Sequence, residues 1–333
     1  MDFEKILKKD KYTKEDLLHL INLSDEEKIN ELYNYAYKLK KENVGQKVYY
    51  RGIIEFSNTC EKNCNYCGIR ADNENVERYF MSKEEILESA EFIYNNNYGS
   101  LVLQSGERTD DEYIAFVDEI IKEIKELSNG ELGITLSLGE QDKETYQRWF
   151  DLGAHRYLLR IESANPKLYN SIHPDDHDFE RRVKCLKDLR EIGYQVGTGV
   201  MIGIPGQSTE DLIDDILFFA QHNVDMIGMG PYVIHEETPI VEEIKDKDKL
   251  KERNLEWGLK MVAILRVVMP DINIAATTAL QALDPIGREK ALKAGANILM
   301  PVVTHQNYRA DYQLYQDKPC IDEEPSDCKN CLA

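Results

Sequence analysis

Between Gly52 and Pro301 the chain alternates eight short apolar runs with seven longer amphipathic ones, and that rhythm leaves few architectures open to it. Strands are predicted over 52–56, 100–104, 133–137, 156–160, 195–201, 225–230, 273–276 and 297–301. Helices are predicted over 82–96, 111–128, 142–152, 179–192, 208–222, 247–268 and 280–293. A glycine recurs where a helix must stop before the next strand, as in Asn97-Tyr98-Gly99, Leu152-Gly153-Ala154, Ile192-Gly193-Tyr194 and Ala294-Gly295-Ala296. Repeated strand–helix units predict an α/β fold, a single (β/α)8 TIM-type barrel. A doubly wound sheet has the same local pattern and is the alternative.

Residues 14–23 and 25–41 read as helices, with Thr13 and Ser24 as N-caps ahead of acidic first turns. Three parts are expected: an N-terminal helical extension over 1–48, the barrel over 49–310, and a C-terminal segment over 311–333. The 61 acidic residues outweigh 41 basic ones, giving a net charge of −20. Such a surface repels nucleic acid and anionic lipid, so neither is expected as a partner. No apolar run approaches the ~20 residues that cross a bilayer. Met1-Asp2-Phe3-Glu4-Lys5 lacks the apolar core of a signal peptide, and a cytoplasmic location is expected.

In a barrel of this type chemistry gathers at the C-terminal ends of the strands. Polar residues follow the predicted strands there, as in Gln104-Ser105-Gly106-Glu107, Ser137-Leu138-Gly139-Glu140 and Thr277-Thr278. Arg160 and Glu162 leave the fourth strand with Ile161 between them, so both reach one side of it. They read equally as a structural ion pair. Gln104, Ser105, Thr135 and Ser137 offer an amide and hydroxyls to a polar substrate, or serve as caps and turns.

Six of the seven cysteines form two triplets, and Cys185 stands alone. Cys60, Cys64 and Cys67 follow the first strand at Cys-x3-Cys-x2-Cys spacing, with Tyr66 just before the third. Short-spaced triplets in a chain of this size read as metal sites before disulfides. Three thiolates on a 4Fe-4S cube leave one iron open to a small molecule, which suits catalysis. Structural zinc would need a fourth ligand, and no histidine or further cysteine lies nearby in sequence. His173, His235 and His305 read as surface or structural residues. The Gly-x-Gly pairs at 197–199 and 228–230 do not match a dinucleotide fingerprint.

The Cys-x3-Cys-x-aromatic-Cys pattern after strand one resembles the radical S-adenosylmethionine (SAM) superfamily. The blocks IEFSNTCEKNCNYCGIRADN, VLQSGE, TLSLGE, RYLLRIESANP, GIPGQSTEDLIDDI, DMIGMGPYVIHEETP, ATTA and YQLY are, in order, similar to the iron-iron hydrogenase maturase family HydE. They are spread over some four-fifths of the chain. The resemblance implies a 4Fe-4S cluster on Cys60, Cys64 and Cys67. SAM would chelate its open iron and be cleaved reductively to a 5′-deoxyadenosyl radical. Tyr66 would pack near the adenine, Gln104 would face the cofactor, and Met300 would lie near SAM. Glu162 and Arg182 would hold SAM's amino acid part, with the adjacent Arg181 leaving that assignment open by one position. Arg160 would mark the substrate end. Thr135, Ser137, Ser105, Met226, Thr277 and Thr278 would line the cavity, and Tyr312 and Tyr315 would close its upper part. Where the family often reads Arg-His-Glu-Thr this chain has Arg160-Ile161-Glu162-Ser163, so no histidine can act at that position.

The second triplet, Cys320, Cys328 and Cys331, lies among proline and acidic residues near the C-terminus. The resemblance implies an accessory 2Fe-2S or 4Fe-4S cluster there, dispensable for the main reaction; an empty or oxidised site is the alternative. It also implies a small organometallic substrate, an iron carbonyl-cyanide species bearing cysteine. HydG would act upstream and HydF downstream, with ferredoxin or flavodoxin as electron donor. The rival readings are a methylornithine-synthase-like or biotin-synthase-like enzyme, and a non-catalytic iron–sulfur carrier.

Overall fold

The computed structural model describes residues 3–175, 177–316, 318, 319 and 321. Seven strands, β1 (Gly52–Ser57), β2 (Ser100–Ser105), β3 (Gly133–Ser137), β4 (Arg156–Leu158), β5 (Gln195–Thr198), β6 (Met226–Ile227) and β7 (Asn273–Ile274), form one curled parallel sheet in chain order. An eighth, β8 (Ile298–Leu299), joins its two edges. On one side it pairs in parallel with Tyr49–Tyr50, just ahead of β1, and Val302 bridges to Ile53. On the other, Ile298 bridges to Ala275 after β7. The N–H groups of Tyr49, Arg51 and Ile53 donate to the carbonyls of Asn297, Leu299 and Pro301 at 2.8–2.9 Å, and Ala276 N–H donates to Ile298 at 2.9 Å. The expected eight-stranded ring therefore has no free edge, which a doubly wound sheet would keep.

Where the structure departs from the sequence-based expectation, the cause is local. The predicted fifth and sixth strands each break and resume, as Met201–Ile202 beside Gly230–Pro231. A Cβ on Gly199 would sit 2.1 Å from the Gly228 carbonyl oxygen, so the two chains pass where only glycine fits. The helix predicted over 280–293 is two, Thr278–Leu283 and Gly287–Lys293. Pro285 lies between them, lacks an N–H and blocks a continuous helix. A helix not foreseen, Pro166–Ile172, starts behind an Asn165 cap with proline in its first turn. Thr13 caps Lys14–Ile21 in a capping box with Asp16. Glu26–Asn43 is capped by Asp25 rather than Ser24, its carboxylate accepting from Glu27 and Lys28.

The sheet's outer face packs under the helices in one large core that includes Ile54, Phe56, Tyr146, Trp149, Tyr157 and Phe219. Alternation along β1 turns Ile53 and Glu55 to the inside, where Ile53, Val102 and Val302 form a separate cluster with Met300 against it. The N-terminal helices lie on the long helix Lys247–Val268. Lys260 of that helix donates to the carbonyls of Ile21 and Leu23, tying the extension to the barrel. From the same helix the fully buried Arg266 reaches the closing strand. Its guanidinium donates to Gly295 O at 2.9 Å, Pro270 O at 2.8 Å and Asn297 Oδ1 at 3.1 Å. Asn297 Oδ1 also accepts from Ile274 N–H at 2.8 Å, so one side chain joins β7 to β8. No helix among the described residues is long and apolar enough to cross a membrane.

Burial lowers the Arg266 pKa to about 10, which leaves it charged at neutral pH. Arg266→Met should strand the buried Gly295 carbonyl and the part-buried Pro270 carbonyl. It should cost about 2–4 kcal/mol of stability, because each unpaired buried acceptor costs ~1–3 kcal/mol while the methionine needs no charge desolvation. A denaturant titration followed by circular dichroism measures it; an unchanged midpoint would show that backbone pairing alone closes the ring.

Candidate active site

A cavity of about 350 Å³ lies inside the ring at the C-terminal ends of the strands. Cys60, Cys64 and Cys67 stand at its lip, on the loop that leaves β1. That loop is held from within. Arg78 donates to the carbonyls of Asn58, Ile69, Arg70 and Asn73 at 2.6–3.1 Å. The buried Asn58 donates to Glu77 O and Asp311 O and accepts from Tyr79 N–H. Asn63 caps the turn from inside, accepting from Asp72 N–H at 2.9 Å. Backbone N–H groups of Lys62 and Glu107 point at Cys60 Sγ, 3.4 and 3.3 Å away. Burial pushes all three thiols up, Cys67 to about 12, so a metal that takes them must displace their protons.

Glu162 follows β4 with φ +62°, a left-handed conformation that costs a non-glycine residue about 1–3 kcal/mol. It is locked by its N–H donating to Gly199 O at 3.0 Å and its carbonyl accepting from Met201 N–H at 3.1 Å. The twist aims the carboxylate into the cavity. Arg160 Nη2 lies 2.9 Å from Glu162 Oε2, but at angles that form no hydrogen bond. Arg160 Nε and Nη2 and Glu162 Oε2 are thus buried polar atoms without hydrogen-bond partners. Burial raises the Glu162 pKa, and the Arg160 and Arg182 charges oppose that rise.

Arg182, on helix Phe179–Ile192, lines the cavity beside this pair. It donates to Glu140 Oε1 at 2.5 Å and to Arg160 O at 2.6 Å. Arg181 reaches the other Glu140 oxygen at 3.0 Å, but its side chain is 51% exposed and lies outside the cavity lining. The geometry therefore separates the two arginines that sequence alone left open. Glu140 sits after β3, on a turn whose Gly139 carbonyl accepts from the Tyr157 hydroxyl at 2.8 Å.

The structure brings most of the residues singled out in the sequence to one place. Tyr66, Gln104, Ser105, Ser137, Thr277, Thr278, Met300, Tyr312 and Tyr315 all line the cavity. Gln104 Nε2 donates to the Tyr312 hydroxyl at 3.1 Å, and Thr278 shares a 2.7 Å hydrogen bond with Tyr315. The Ser105 hydroxyl is taken up by Gly106 O and the Tyr113 hydroxyl. Thr277 Oγ1 is buried without a partner. Thr135 and Met226 lie outside the lining, and Met226 Sδ instead accepts from Arg51 Nη1. Cys320, Cys328 and Cys331 lie outside the described residues.

Three features escaped the sequence reading. Lys318 reaches back into the barrel and pairs with Glu55 Oε1 at 2.5 Å, both side chains buried. Glu140 fixes Arg182. His177 comes within 3.5 Å of Cys64 Sγ, with His173 beside it. Only Glu140, directly after a strand and inside a family block, carried a local signal.

These residues fit a 4Fe-4S cluster with SAM: three thiols at the lip, and beside them the Glu162 carboxylate and the Arg182 guanidinium lining the same cavity. That donor set suits an amino acid's carboxylate and ammonium. The sequence profile of the Radical SAM superfamily matches residues 54–219. The FeFe hydrogenase maturase subunit HydE of Thermotoga maritima is 43% identical over 98% of this chain and 90% of its own length. The 3-methylornithine synthase of Methanosarcina acetivorans is 29% identical over 90% of this chain and 82% of its length. The crystal structure of methylornithine synthase PylB superposes with a TM-score of 0.81 at 27% identity, covering 97% of this chain and 92% of that one. This chain belongs to the radical SAM superfamily and, within it, to the HydE family of hydrogenase maturases; it is a radical SAM enzyme, and its family implies a 4Fe-4S cluster and SAM as cofactors.

Proposed function

We propose that this enzyme acts in assembly of the diiron subsite of iron-iron hydrogenase, on a mononuclear iron carbonyl-cyanide complex bearing cysteine. The similarity to HydE along nearly the whole chain carries the assignment. In this reading HydG supplies the substrate, HydF receives the product, and a ferredoxin or flavodoxin delivers electrons. An accessory iron–sulfur cluster at Cys320, Cys328 and Cys331 belongs to the same proposal.

A 4Fe-4S cluster with SAM would supply reductive cleavage of the sulfonium, the radical-generating chemistry of the family. The chain's own residues bind and orient. Cys60, Cys64 and Cys67 would hold the cluster and leave it a site open to SAM. Glu162 would accept from SAM's ammonium through its cavity-lining carboxylate. Arg182, fixed by Glu140, faces the carboxylate. Tyr66 packs against the adenine, with Gln104 and Met300 flanking the cofactor. Arg160, ion-paired with Glu162, turns its guanidinium to an anionic substrate in the same cavity. Hydroxyls of Ser137, Thr277, Thr278, Tyr312 and Tyr315 orient that substrate, with Ser105 in the same lining. Thr135 and Met226 act from the layer beneath. The apolar walls at Leu158, Met201, Pro231 and Val302 keep water from a reactive radical.

Glu162→Gln should weaken SAM binding by roughly 10–100-fold, the loss expected when a charged hydrogen bond worth about 1.5–3 kcal/mol is removed. Equilibrium binding to the anaerobically reconstituted enzyme measures it, and near-wild-type affinity would remove Glu162 from the cofactor site. The function itself is tested by adding the reconstituted enzyme to a hydrogenase maturation mixture that lacks HydE. Hydrogenase activity and 5′-deoxyadenosine should both appear. Formation of 5′-deoxyadenosine without maturation would favour an activity nearer methylornithine synthase, and absence of both would favour a carrier.

A further inference from the structure

The three thiols at the cavity lip have different neighbours. Cys60 Sγ faces two backbone N–H groups, and Cys67 receives a backbone hydrogen bond from Ile69. Cys64 is approached by side chains instead. His177 Nε2 lies 3.5 Å from its sulfur, and the Tyr66 hydroxyl stands close to the same atom.

The proton inventory decides which of the two donates. His173 Nδ1 lies 2.8 Å from the Tyr169 carbonyl, which can only accept, so Nδ1 carries the hydrogen. His173 Nε2 is then a bare lone pair, and it takes the Tyr66 hydroxyl proton at 3.3 Å. That leaves His177 to serve Cys64. A metal-bound thiolate only accepts, so the contact is favourable with the hydrogen on His177 Nε2. The His177 ring lies over the His173 ring, centroids 4.7 Å apart and planes 32° from parallel, and its backbone N–H donates to Pro174 O at 3.0 Å. His173 is buried and anchored at both ring nitrogens, so it forms a fixed floor beneath His177.

We propose that His177 donates a hydrogen bond to the Cys64 sulfur and thereby raises the reduction potential of the 4Fe-4S cluster, with His173 as the support that holds it there. The proposal rests on the reading of Cys64 as a cluster ligand. One-electron reduction by an external donor adds negative charge that the cluster shares with its sulfurs. An N–H aimed at one sulfur stabilises the reduced form more than the oxidised one, and its proton stays on the imidazole throughout. His177 is a positioning residue that touches the ligand rather than SAM or substrate.

The test is an anaerobic redox titration of the full-length reconstituted protein without SAM, followed by electron paramagnetic resonance, with iron and sulfide counted per chain. His177→Leu should bind the same iron and show a midpoint lower by the equivalent of about tenfold in the reduction equilibrium, about 59 mV for one electron. His177→Gln keeps an N–H donor and should recover part of the shift. An unchanged midpoint in His177→Leu at full iron content overturns the proposal. Should the leucine variant lose iron, His177→Asn, polar but too short to reach the sulfur, decides on the same readout. A wild-type chain that assembles no cluster, or whose Cys64→Ala variant assembles the wild-type cluster, overturns the ligand reading itself.

Discussion

The candidate-site side chains among the described residues are brought together by the backbone hydrogen bonds that close eight strands into a ring. The segment from Asn297 to Val303 bonds to β7 on one side and to the chain at Tyr49–Ile53 on the other. Without it the sheet would have two open edges and no enclosed interior. With it, the ends of strands distant in sequence face one another across a few ångströms. The cysteine loop, the Glu162–Arg182 pair and Thr277 come from three different strand–helix units and meet because the ring closes. Arg266 and Asn297 reinforce that seam from the buried side.

The interior it creates is charged in a way the exterior conceals. The chain carries a net −20, yet Arg160, Arg182 and Lys318 all line the cavity. Each has a carboxylate close by: Glu162, Glu140 and Glu55. Buried ion pairs seldom stabilise a fold relative to apolar packing, because desolvation offsets most of the attraction. Two of these pairs are also incomplete. Arg160 Nε and Glu55 Oε2 have no hydrogen-bond partner. Together with the left-handed backbone at Glu162, this is local structure that packing alone does not explain, and it gathers beside the thiols.

Much of this was legible in the residues. The strand–helix rhythm predicted the barrel, and β3, helix Phe179–Ile192 and helix Lys247–Val268 fall where periodicity puts them. The misplaced breaks, at Gly199 and Pro285, are sites where a close crossing or a missing N–H overrides an otherwise continuous pattern. The cysteine spacing and the order of the family blocks located the site's lip and most of its wall. Thr135 and Met226, read as cavity residues, sit outside the lining, because a strand position alone does not say how deep the cavity extends.

The sequence by itself determined what repeats locally: the units, their caps, the thiol triplet and the polar strand ends. These follow from contacts between residues a few positions apart, which spacing records. Only the tertiary structure decided which of Arg181 and Arg182 faces inward, that Lys318 answers Glu55, and that His177 stands at Cys64. Those contacts join residues from neighbouring positions to hundreds apart, and their geometry is fixed by ring closure and by which helix face turns inward, quantities that a linear pattern does not contain.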